Sequence, residues 1–247
     1  RHRIVVEFGA GSAARTPLLL DAIEASAYVP VDLSGEFLRG ACDVLARQYP
    51  YLPIFPIEPD FTRPVLMPSE LHGHERLGFF PGSTIGHLEP HAAVDVLRSM
   101  RATLGDESLL LVGMDLIKSR DTLLAAYDDS AGLTAEFNLN LARRINCELD
   151  GTIPVDLLRH RAVWNDVRAR IEMHMEAVRD MSFHICGRYF TLLAGETIHT
   201  ENCHKYDERA ASLLLLAGGW KPQHYFTDSA NRFMVVLARA AENCVTA

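Results

Sequence analysis

The sequence contains no hydrophobic run long enough to cross a bilayer, which takes ~20 predominantly apolar residues. It also lacks an excess of positive charge, since 32 acidic and 24 basic side chains give a formal net charge of −8. The basic residues do not gather into a run either, so nothing in the chain favours binding to nucleic acid. We therefore expect neither a membrane nor a nucleic-acid partner.

Cysteines are few, scattered and odd in number, and no two of them have C-x-x-C spacing. This pattern argues against a disulfide framework and a structural zinc site, and it favours a reducing compartment. A short group formed by His199, Cys203 and His204 lacks the usual spacing of metal ligands. We therefore expect a cytoplasmic protein without a bound metal. We also expect a monomer. The cysteines are Cys42, Cys147, Cys186, Cys203 and Cys244.

The chain begins without the features of a signal peptide. Residues 1–6 have neither a long apolar stretch nor a small-residue cleavage site, and they resemble the start of a strand. We therefore expect the full protein to have a segment before residue 1.

The first 117 residues alternate predicted strands with predicted helices. The third apolar run contains two prolines, which suit a central strand poorly. The alternation predicts an α/β fold with a mostly parallel, doubly wound sheet, whose ligands bind at the edge where the strands end. The five apolar runs are residues 4–8, 28–33, 52–57, 76–80 and 108–114.

Helical spacing replaces this pattern after Leu116. Apolar residues at intervals of three or four predict helices over residues 118–181. The turn Ala194-Gly195 then separates two short runs, residues 189–193 and 196–201, and predicts a hairpin. The helical stripes are Phe137, Leu141, Ile145 and Leu149, and Val167, Ile171, Met175 and Val178.

The C-terminal residues return to the earlier pattern. A predicted helix over residues 208–217 ends at Gly218-Gly219, and strands near 224–227 and 233–238 follow. These elements would complete the sheet begun by the first half. The predicted core is residues 1–117 and 206–247, and the predicted inserted lobe is residues 118–205.

Gly9 and Gly11 follow the first predicted strand, where they let the backbone approach a ligand closely. Asp32, at the end of the second strand, is placed to accept hydrogen bonds from ribose hydroxyls. NAD and S-adenosylmethionine both carry such a ribose, and a simple tight turn explains the glycines as well. The large insertion and the closing strand pair favour a class I methyltransferase over an NAD-dependent oxidoreductase.

Short segments of the chain resemble the histidine-specific methyltransferases that make hercynine for ergothioneine synthesis. The most specific is Phe80-Pro81-Gly82-Ser83-Thr84-Ile85-Gly86. The resemblance implies a Rossmann-like core with an inserted α+β substrate lobe, S-adenosyl-L-methionine as cofactor, and Nα-methylation of an amino acid, above all L-histidine. The other segments, in the family's order, are 6–12, 28–32, 126–129, 134–138, 146–149, 170–173, 195–196 and 200–205.

The resemblance also assigns residues to the cofactor. The glycine turn and the first acidic residue match cofactor-binding positions, the pair at 60–61 matches the residues beside the adenine, and the cation at 15 replaces a frequent lysine. These residues are Gly9, Gly11, Ser12, Arg15, Asp32, Asp60 and Phe61.

Four further residues match substrate positions of the family. Gly82 and Tyr127 match positions near the amino and carboxylate groups, and Tyr127 would hold the amine for in-line methyl transfer. Glu201 matches the carboxylate that binds the imidazole, and Met173 matches a position beside the substrate ring.

Two more substrate positions depart from the family pattern. His87 stands where Asn is usual, and Cys203 stands where Ser is usual. His is bulkier than Asn and titrates near neutral pH, while Cys forms weaker hydrogen bonds than Ser. The departures leave open a different amino acid or amine as substrate, and for His87 a role in capping the helix that begins near Pro90. The abrupt start of the chain leaves open an inactive fragment.

Overall fold

The computed structural model describes residues 2–58 and 60–242. It divides into two compact units, one made of Arg1–Leu116 with Tyr206–Ala247 and the other of Ile117–Lys205. No helix in the described ranges is both long and apolar enough to span a membrane. Cys42, Cys147, Cys186 and Cys203 have free thiols, and Cys244 lies outside the described residues.

The elements follow one another in three stretches of the chain. The first contains β1 (Ile4–Phe8), α1 (Thr16–Leu20), β2 (Ala27–Val31), α2 (Gly35–Gln48), β3 (Arg76–Phe80), α3 (Pro90–Leu104) and β4 (Leu109–Asp115). The second unit contains α4 (Arg120–Tyr127), α5 (Leu133–Glu148), β5 (Leu158–Asn165), β6 (Arg170–Ala177), β7 (Met181–Ile185), β8 (Arg188–Leu192) and β9 (Thr197–His204). The last contains α6 (Glu208–Ala217), β10 (Trp220–Thr227) and β11 (Phe233–Ala240).

The first unit is built on a six-stranded sheet in the order β10-β11-β4-β3-β1-β2. Strands β1 to β4 are parallel, and β11 runs antiparallel to both β4 and β10. On one face, Val112 packs in a cluster with Leu97 of α3 and Leu215 of α6. On the other face, Tyr28 packs with Leu45 of α2. The predicted mostly parallel, doubly wound sheet is confirmed.

Residues 52–57 do not form the full strand that their apolar composition predicts. They make two isolated parallel bridges to β2 through Ile54 and Ile57. Pro53 and Pro56 have no N–H groups to donate to a ladder, so continuous pairing is interrupted. The segment still extends the sheet beyond β2.

The second unit contains a three-stranded antiparallel sheet, β5-β6-β9, and the two-stranded sheet β7-β8. Helices α4 and α5 pack against the larger sheet, where Ile171, Met173 and Met175 are buried. The prediction of helices throughout residues 118–181 is therefore wrong after α5. Ile171 and Met175 are four residues apart, a spacing that fits one helical turn and also two periods of a strand.

The hairpin predicted around Ala194-Gly195 is also wrong. Both of its segments are strands, but β8 pairs with β7 and β9 pairs with β6. The turn that joins β7 to β8 is Cys186-Gly187, whose φ angles of +49° and +73° suit a tight hairpin. Local composition predicted the strands, whereas their partners depend on the rest of the unit.

The pairing of β6 with β9 contains a bulge. Met173 lies opposite Glu201 and His174 lies opposite His199, so Thr200 has no partner across the ladder. Residues directly opposite one another in an antiparallel sheet point to the same face. Glu201 therefore shares with Met173 what we call the apolar face, while His199 shares the polar face with His174.

Candidate active site

Three loops of the first unit meet at the edge where its parallel strands end. Gly9 and Gly11 follow β1, Asp32 follows β2 and Gly82 follows β3. The glycines have φ angles of +66°, +52° and +75°, which strain residues with a side chain. This edge of the sheet thus presents bare backbone where a doubly wound fold binds its ligand.

The Asp32 carboxylate ties two of these loops together. Its Oδ2 accepts a hydrogen bond from the Gly11 N–H at 2.9 Å, and its Oδ1 accepts one from the Ser34 N–H at 2.9 Å. Each carboxylate oxygen has a second lone pair, so both remain able to accept from ribose hydroxyls. Ser12 is exposed and lines a groove along α2.

A buried carboxylate supports the same turn from inside the core. Glu7 is 1% exposed and accepts hydrogen bonds from the hydroxyls of Thr16 at 2.5 Å and Tyr28 at 2.6 Å. Burial raises the pKa of Glu7, and the two hydrogen bonds act in the opposite direction. The carboxylate thereby joins β1, the start of α1 and β2 behind the turn that carries Gly9.

Phe61 lies against the glycine turn. Its ring stands 3.6 Å from the position that a Cβ on Gly9 would occupy. It packs edge-to-face on Phe8 and Phe80, with centroid distances of 6.2 and 6.0 Å. Asp60 is exposed in the adjoining loop, where hydrogen bonds from the side chain and backbone two residues on lower its pKa.

Arg15 lies over the loop that follows β3. A Cβ on Gly82 would stand 3.2 Å from the Nη1 atom of Arg15. Both residues line a cavity of about 480 Å³ together with Ser83 and Gly113. The predicted cofactor cation and one predicted substrate position are thus neighbours.

His87 is exposed at the end of the short 3₁₀ turn Thr84–His87. Helix α3 has Glu89 at its N-cap and begins with Pro90. The N-cap position therefore belongs to Glu89. The substrate role and the helix-capping role of His87 both stay predictions.

In the second unit, Tyr127, Cys203 and Lys205 form a buried polar cluster. The Tyr127 hydroxyl donates to Cys203 Sγ at 2.8 Å, and Lys205 Nζ donates to the Tyr127 hydroxyl at 2.7 Å and to Cys203 Sγ at 3.1 Å. Cys203 and Lys205 are each 2% exposed. Burial, reinforced by Cys203, raises the pKa of Tyr127, so its phenol is a protonated donor at neutral pH.

The apolar face brings together most of the predicted substrate residues of this unit. Met173 is buried in a cluster that Tyr127 packs against. Glu201 lies opposite Met173 in the ladder, is half-buried, and lines a cavity of about 280 Å³ beside α5. Cys203 contacts Tyr127 as described. The apolar face thus combines a donor, an acceptor and an apolar surface.

A chain of hydrogen bonds holds these residues from behind. The Tyr127 carbonyl only accepts, so His160 Nε2 donates to it at 2.7 Å, and His160 Nδ1 accepts from Asn138 Nδ2 at 2.9 Å. Asn138 Oδ1 in turn accepts from the Thr200 hydroxyl at 2.7 Å. Asn138 is 3% exposed. The chain links the end of α4 to the strand that carries Glu201.

We expect Asn138→Leu to lower the free energy of unfolding by ~1–3 kcal/mol, because a buried apolar side chain of similar size would remove the hydrogen bonds of Asn138 with His160 and Thr200. Chemical denaturation measures the change. Asn140→Leu, on the exposed side of the same helix, is the matched control, with an expected change below ~0.5 kcal/mol. Equal effects of the two substitutions would show that the hydrogen-bond chain contributes no net stability.

Three residues of this arrangement are absent from the predicted site. Asn138 and Lys205 are the last residues of two segments that carry the family resemblance. Their place in those segments was the signal that could have identified them as site residues. His160 lies outside every such segment, and only the pairing of β5 with β6 brings it to Tyr127. Sequence alone therefore offered no signal for His160.

Comparisons with known proteins agree on one family. The family model for histidine-specific, S-adenosylmethionine-dependent methyltransferases matches residues 1–240. The histidine N-alpha-methyltransferase of Mycolicibacterium smegmatis is 33% identical over 241 residues, covering 95% of this chain and 74% of the relative. The protein of the same name from Mycobacterium tuberculosis is 33% identical over 245 residues, covering 96% and 75%.

A solved structure supports the fold independently. The crystal structure of an S-adenosylmethionine-dependent methyltransferase from Clostridium acetobutylicum matches 98% of this chain and 85% of its own, with a TM-score of 0.56 and 11% identity. At that identity the likeness shows the fold alone. The predicted Rossmann-like class I fold is confirmed.

Proposed function

Because this chain belongs to the histidine-specific, S-adenosylmethionine-dependent methyltransferase family, we propose that it methylates the α-amino group of L-histidine and forms the Nα,Nα,Nα-trimethyl product, hercynine. The chain is a methyltransferase whose methyl donor is S-adenosylmethionine. The observation that carries the choice of substrate is the position of Glu201, a half-buried carboxylate opposite Met173 on the apolar face.

The edge of the first unit fits the methyl donor. Gly9 offers backbone without a Cβ, and the Phe61 ring beside it offers a flat apolar surface for the adenine. Asp32 keeps acceptor capacity for the ribose, and Arg15 is an exposed cation for the carboxylate of the methionine part. When bound, the donor supplies an electrophilic methyl group for in-line displacement.

Tyr127 orients the amino-acid end of the substrate. When the substrate binds, the protonated phenol turns its single O–H from Cys203 Sγ to the substrate carboxylate, and Lys205 Nζ donates to the phenol oxygen from behind at 2.7 Å. Methyl transfer needs a neutral amine held in line with the methyl carbon, so positioning is the main contribution available to the protein. We assign this positioning role to Tyr127.

Glu201 selects for an imidazole. A carboxylate accepts strongly from an N–H donor, and a substrate without that donor forgoes this charge-assisted hydrogen bond. Met173 packs beside the ring and supplies an apolar surface. This pairing favours histidine over amino acids with purely apolar side chains.

Calorimetry with the product S-adenosylhomocysteine tests the proposed function. We expect S-adenosylhomocysteine to bind and histidine to bind the loaded protein at least ~10-fold more tightly than the empty protein, a typical coupling between two ligands. Loss of cofactor binding would contradict the methyltransferase function. Cofactor binding without histidine binding would contradict the choice of histidine.

Two departures from the family pattern favour a second candidate function, the methylation of another amino acid or amine. His87 and Cys203 both stand at predicted substrate positions and differ from the family pattern. Cys203 accepts hydrogen bonds from Tyr127 and Lys205. Its thiol is a weaker acceptor than the hydroxyl of the usual Ser, so it holds the Tyr127 phenol less firmly. A panel of aromatic amino acids and amines, titrated into the loaded protein, distinguishes the candidates.

We expect Cys203→Ser to tighten histidine binding by about 2- to 10-fold, because a hydroxyl forms stronger hydrogen bonds than a thiol at this position. Titration of histidine into the protein loaded with S-adenosylhomocysteine measures the change. Cys147→Ser, on the exposed surface of α5, is the control and is expected to leave the dissociation constant unchanged. Weaker binding in Cys203→Ser would favour the alternative substrate.

The remaining assignments belong to the same proposal. The first unit would bind the cofactor, and the second unit would supply the binding surface for the imidazole. The partner is a small amino acid. A cytoplasmic location and a monomeric state stay predictions, which cell fractionation and sedimentation measure directly.

A further inference from the structure

The polar face of the β5-β6-β9 sheet carries three side chains that methyl transfer does not use. Glu172 and His174 alternate along β6, and His199 lies opposite His174 on β9. One ligand atom from each lies within 4.8 Å of the other two, and the two imidazole rings stack with a centroid distance of 4.7 Å. Two imidazoles and a carboxylate therefore converge on one point of the sheet.

We propose that Glu172, His174 and His199 bind a divalent transition-metal ion of the zinc class. A donor set of two nitrogens and one oxygen suits Zn²⁺, whereas Mg²⁺ and Ca²⁺ prefer oxygen ligands alone. Three protein ligands leave a fourth position for water. The site is separate from the proposed reaction and does not depend on it.

The carboxylate of the cluster is held in a fixed orientation. Glu172 Oε1 accepts hydrogen bonds from Arg170 Nε at 2.8 Å and from Asn165 Nδ2 at 2.9 Å. Its Oε2 lies 3.5 Å from His174 Nε2. Hydrogen bonds of this kind, made to the second oxygen of a ligand, orient metal-binding carboxylates.

The central histidine is largely buried beside the carboxylate. The His174 side chain is 15% exposed, and its Nε2 atom is the nitrogen that lies toward Glu172 Oε2. Its Nδ1 atom is buried and lacks a hydrogen-bond partner among the described residues. An imidazole coordinates a metal through a ring nitrogen in its neutral form.

The approach to the cluster is open on the side of His199, which is exposed. Its ring can turn toward an arriving ion without displacing core residues, at the loss of the hydrogen bond that Nε2 donates to the Glu201 carbonyl at 3.1 Å. The nearby Arg161 forms an ion pair with Glu176 at 3.1 Å. That pairing offsets the positive charge near the cluster.

Zn²⁺ added to chelator-treated protein is the probe. We expect calorimetry to show one equivalent bound and the midpoint of thermal unfolding to rise with Zn²⁺ concentration, because an ion that joins β6 to β9 favours the folded state. Co²⁺ in place of Zn²⁺ adds an absorption signature that reports coordination by nitrogen and oxygen. Failure of the wild-type protein to bind Zn²⁺ would overturn the proposal.

His199→Ala is the first variant, because His199 is exposed, so its removal costs the stacking contact with His174 but leaves no cavity in the core. We expect its Zn²⁺ dissociation constant to rise at least ~10-fold. Removal of a residue that only hydrogen-bonds to a metal ligand already weakens metal binding by about that factor. Glu172→Gln should weaken binding in the same way. The control is His184→Ala, which removes an exposed histidine from β7 of the same unit and should keep the wild-type value.

Circular dichroism in chelator checks that each variant is folded. Selective weakening in folded His199→Ala and Glu172→Gln supports the site. Equal affinities of His199→Ala and His184→Ala would place zinc elsewhere and overturn it. Neither outcome depends on histidine binding or methyl transfer, so this proposal and the proposed function fail separately.

Discussion

Glu201→Gln is expected to raise the dissociation constant for histidine roughly 10-fold while leaving the affinity for S-adenosylhomocysteine unchanged, because a charge-assisted hydrogen bond to the imidazole is replaced by a neutral one. The amide has nearly the shape of the carboxylate, so packing against the apolar face is preserved. Calorimetric titration of histidine into the protein loaded with S-adenosylhomocysteine measures the loss.

Glu136→Gln provides the matched control for this substitution. It removes an exposed carboxylate from α5 in the same unit, so its effect on histidine binding should be small. If Glu201→Gln and Glu136→Gln bind histidine equally well, Glu201 does not contact the imidazole. A variant that loses cofactor binding as well would indicate a structural role for Glu201 instead.

Asp32→Ala should weaken S-adenosylhomocysteine binding by roughly 100-fold or more, because two ribose hydroxyls lose their acceptor and a polar ligand group is left unpaired. The substitution also removes the acceptor that holds the Gly11 N–H at 2.9 Å, so the glycine turn loses a restraint. Calorimetry with S-adenosylhomocysteine, accompanied by thermal unfolding, separates lost binding from lost structure.

The exposed carboxylate of Asp43 on α2 serves as the comparison for Asp32. Asp43→Ala should bind S-adenosylhomocysteine like the wild type. Asp32→Asn keeps one acceptor oxygen and is expected to fall between the wild type and Asp32→Ala. Wild-type affinity in all three variants would show that the ribose is bound elsewhere.

The first unit could be predicted closely because its sequence repeats a local pattern. Strands β1 and β3 begin and end where their apolar runs do, and parallel strands joined by helices leave few arrangements open. The segment around Ile54 is the exception, because its prolines limit it to isolated bridges. The location of Gly9, Asp32 and Gly82 at one edge follows from this topology.

The second unit could not be predicted in the same way. Ile171 and Met175 fit both a helix and a strand, and only the pairing with β5 and β9 decides between them. Family resemblance identified Glu201 and Cys203, but it did not show that a buried lysine, Lys205, contacts Cys203 and Tyr127. The contact between Lys205 and Tyr127 joins residues 78 positions apart, beyond the range of local pattern.

The bulge at Thr200 interrupts the regular alternation of side chains between the two faces of β9. In a regular strand, residues two apart share a face, yet His199 and Glu201 point to opposite sides. The two side chains therefore serve different faces, although the residues are almost adjacent and the His199 imidazole donates to the Glu201 carbonyl at 3.1 Å. Regular pairing through Thr200 would place both side chains on one face, so this extra residue is as much a requirement for recognition as the identity of Glu201.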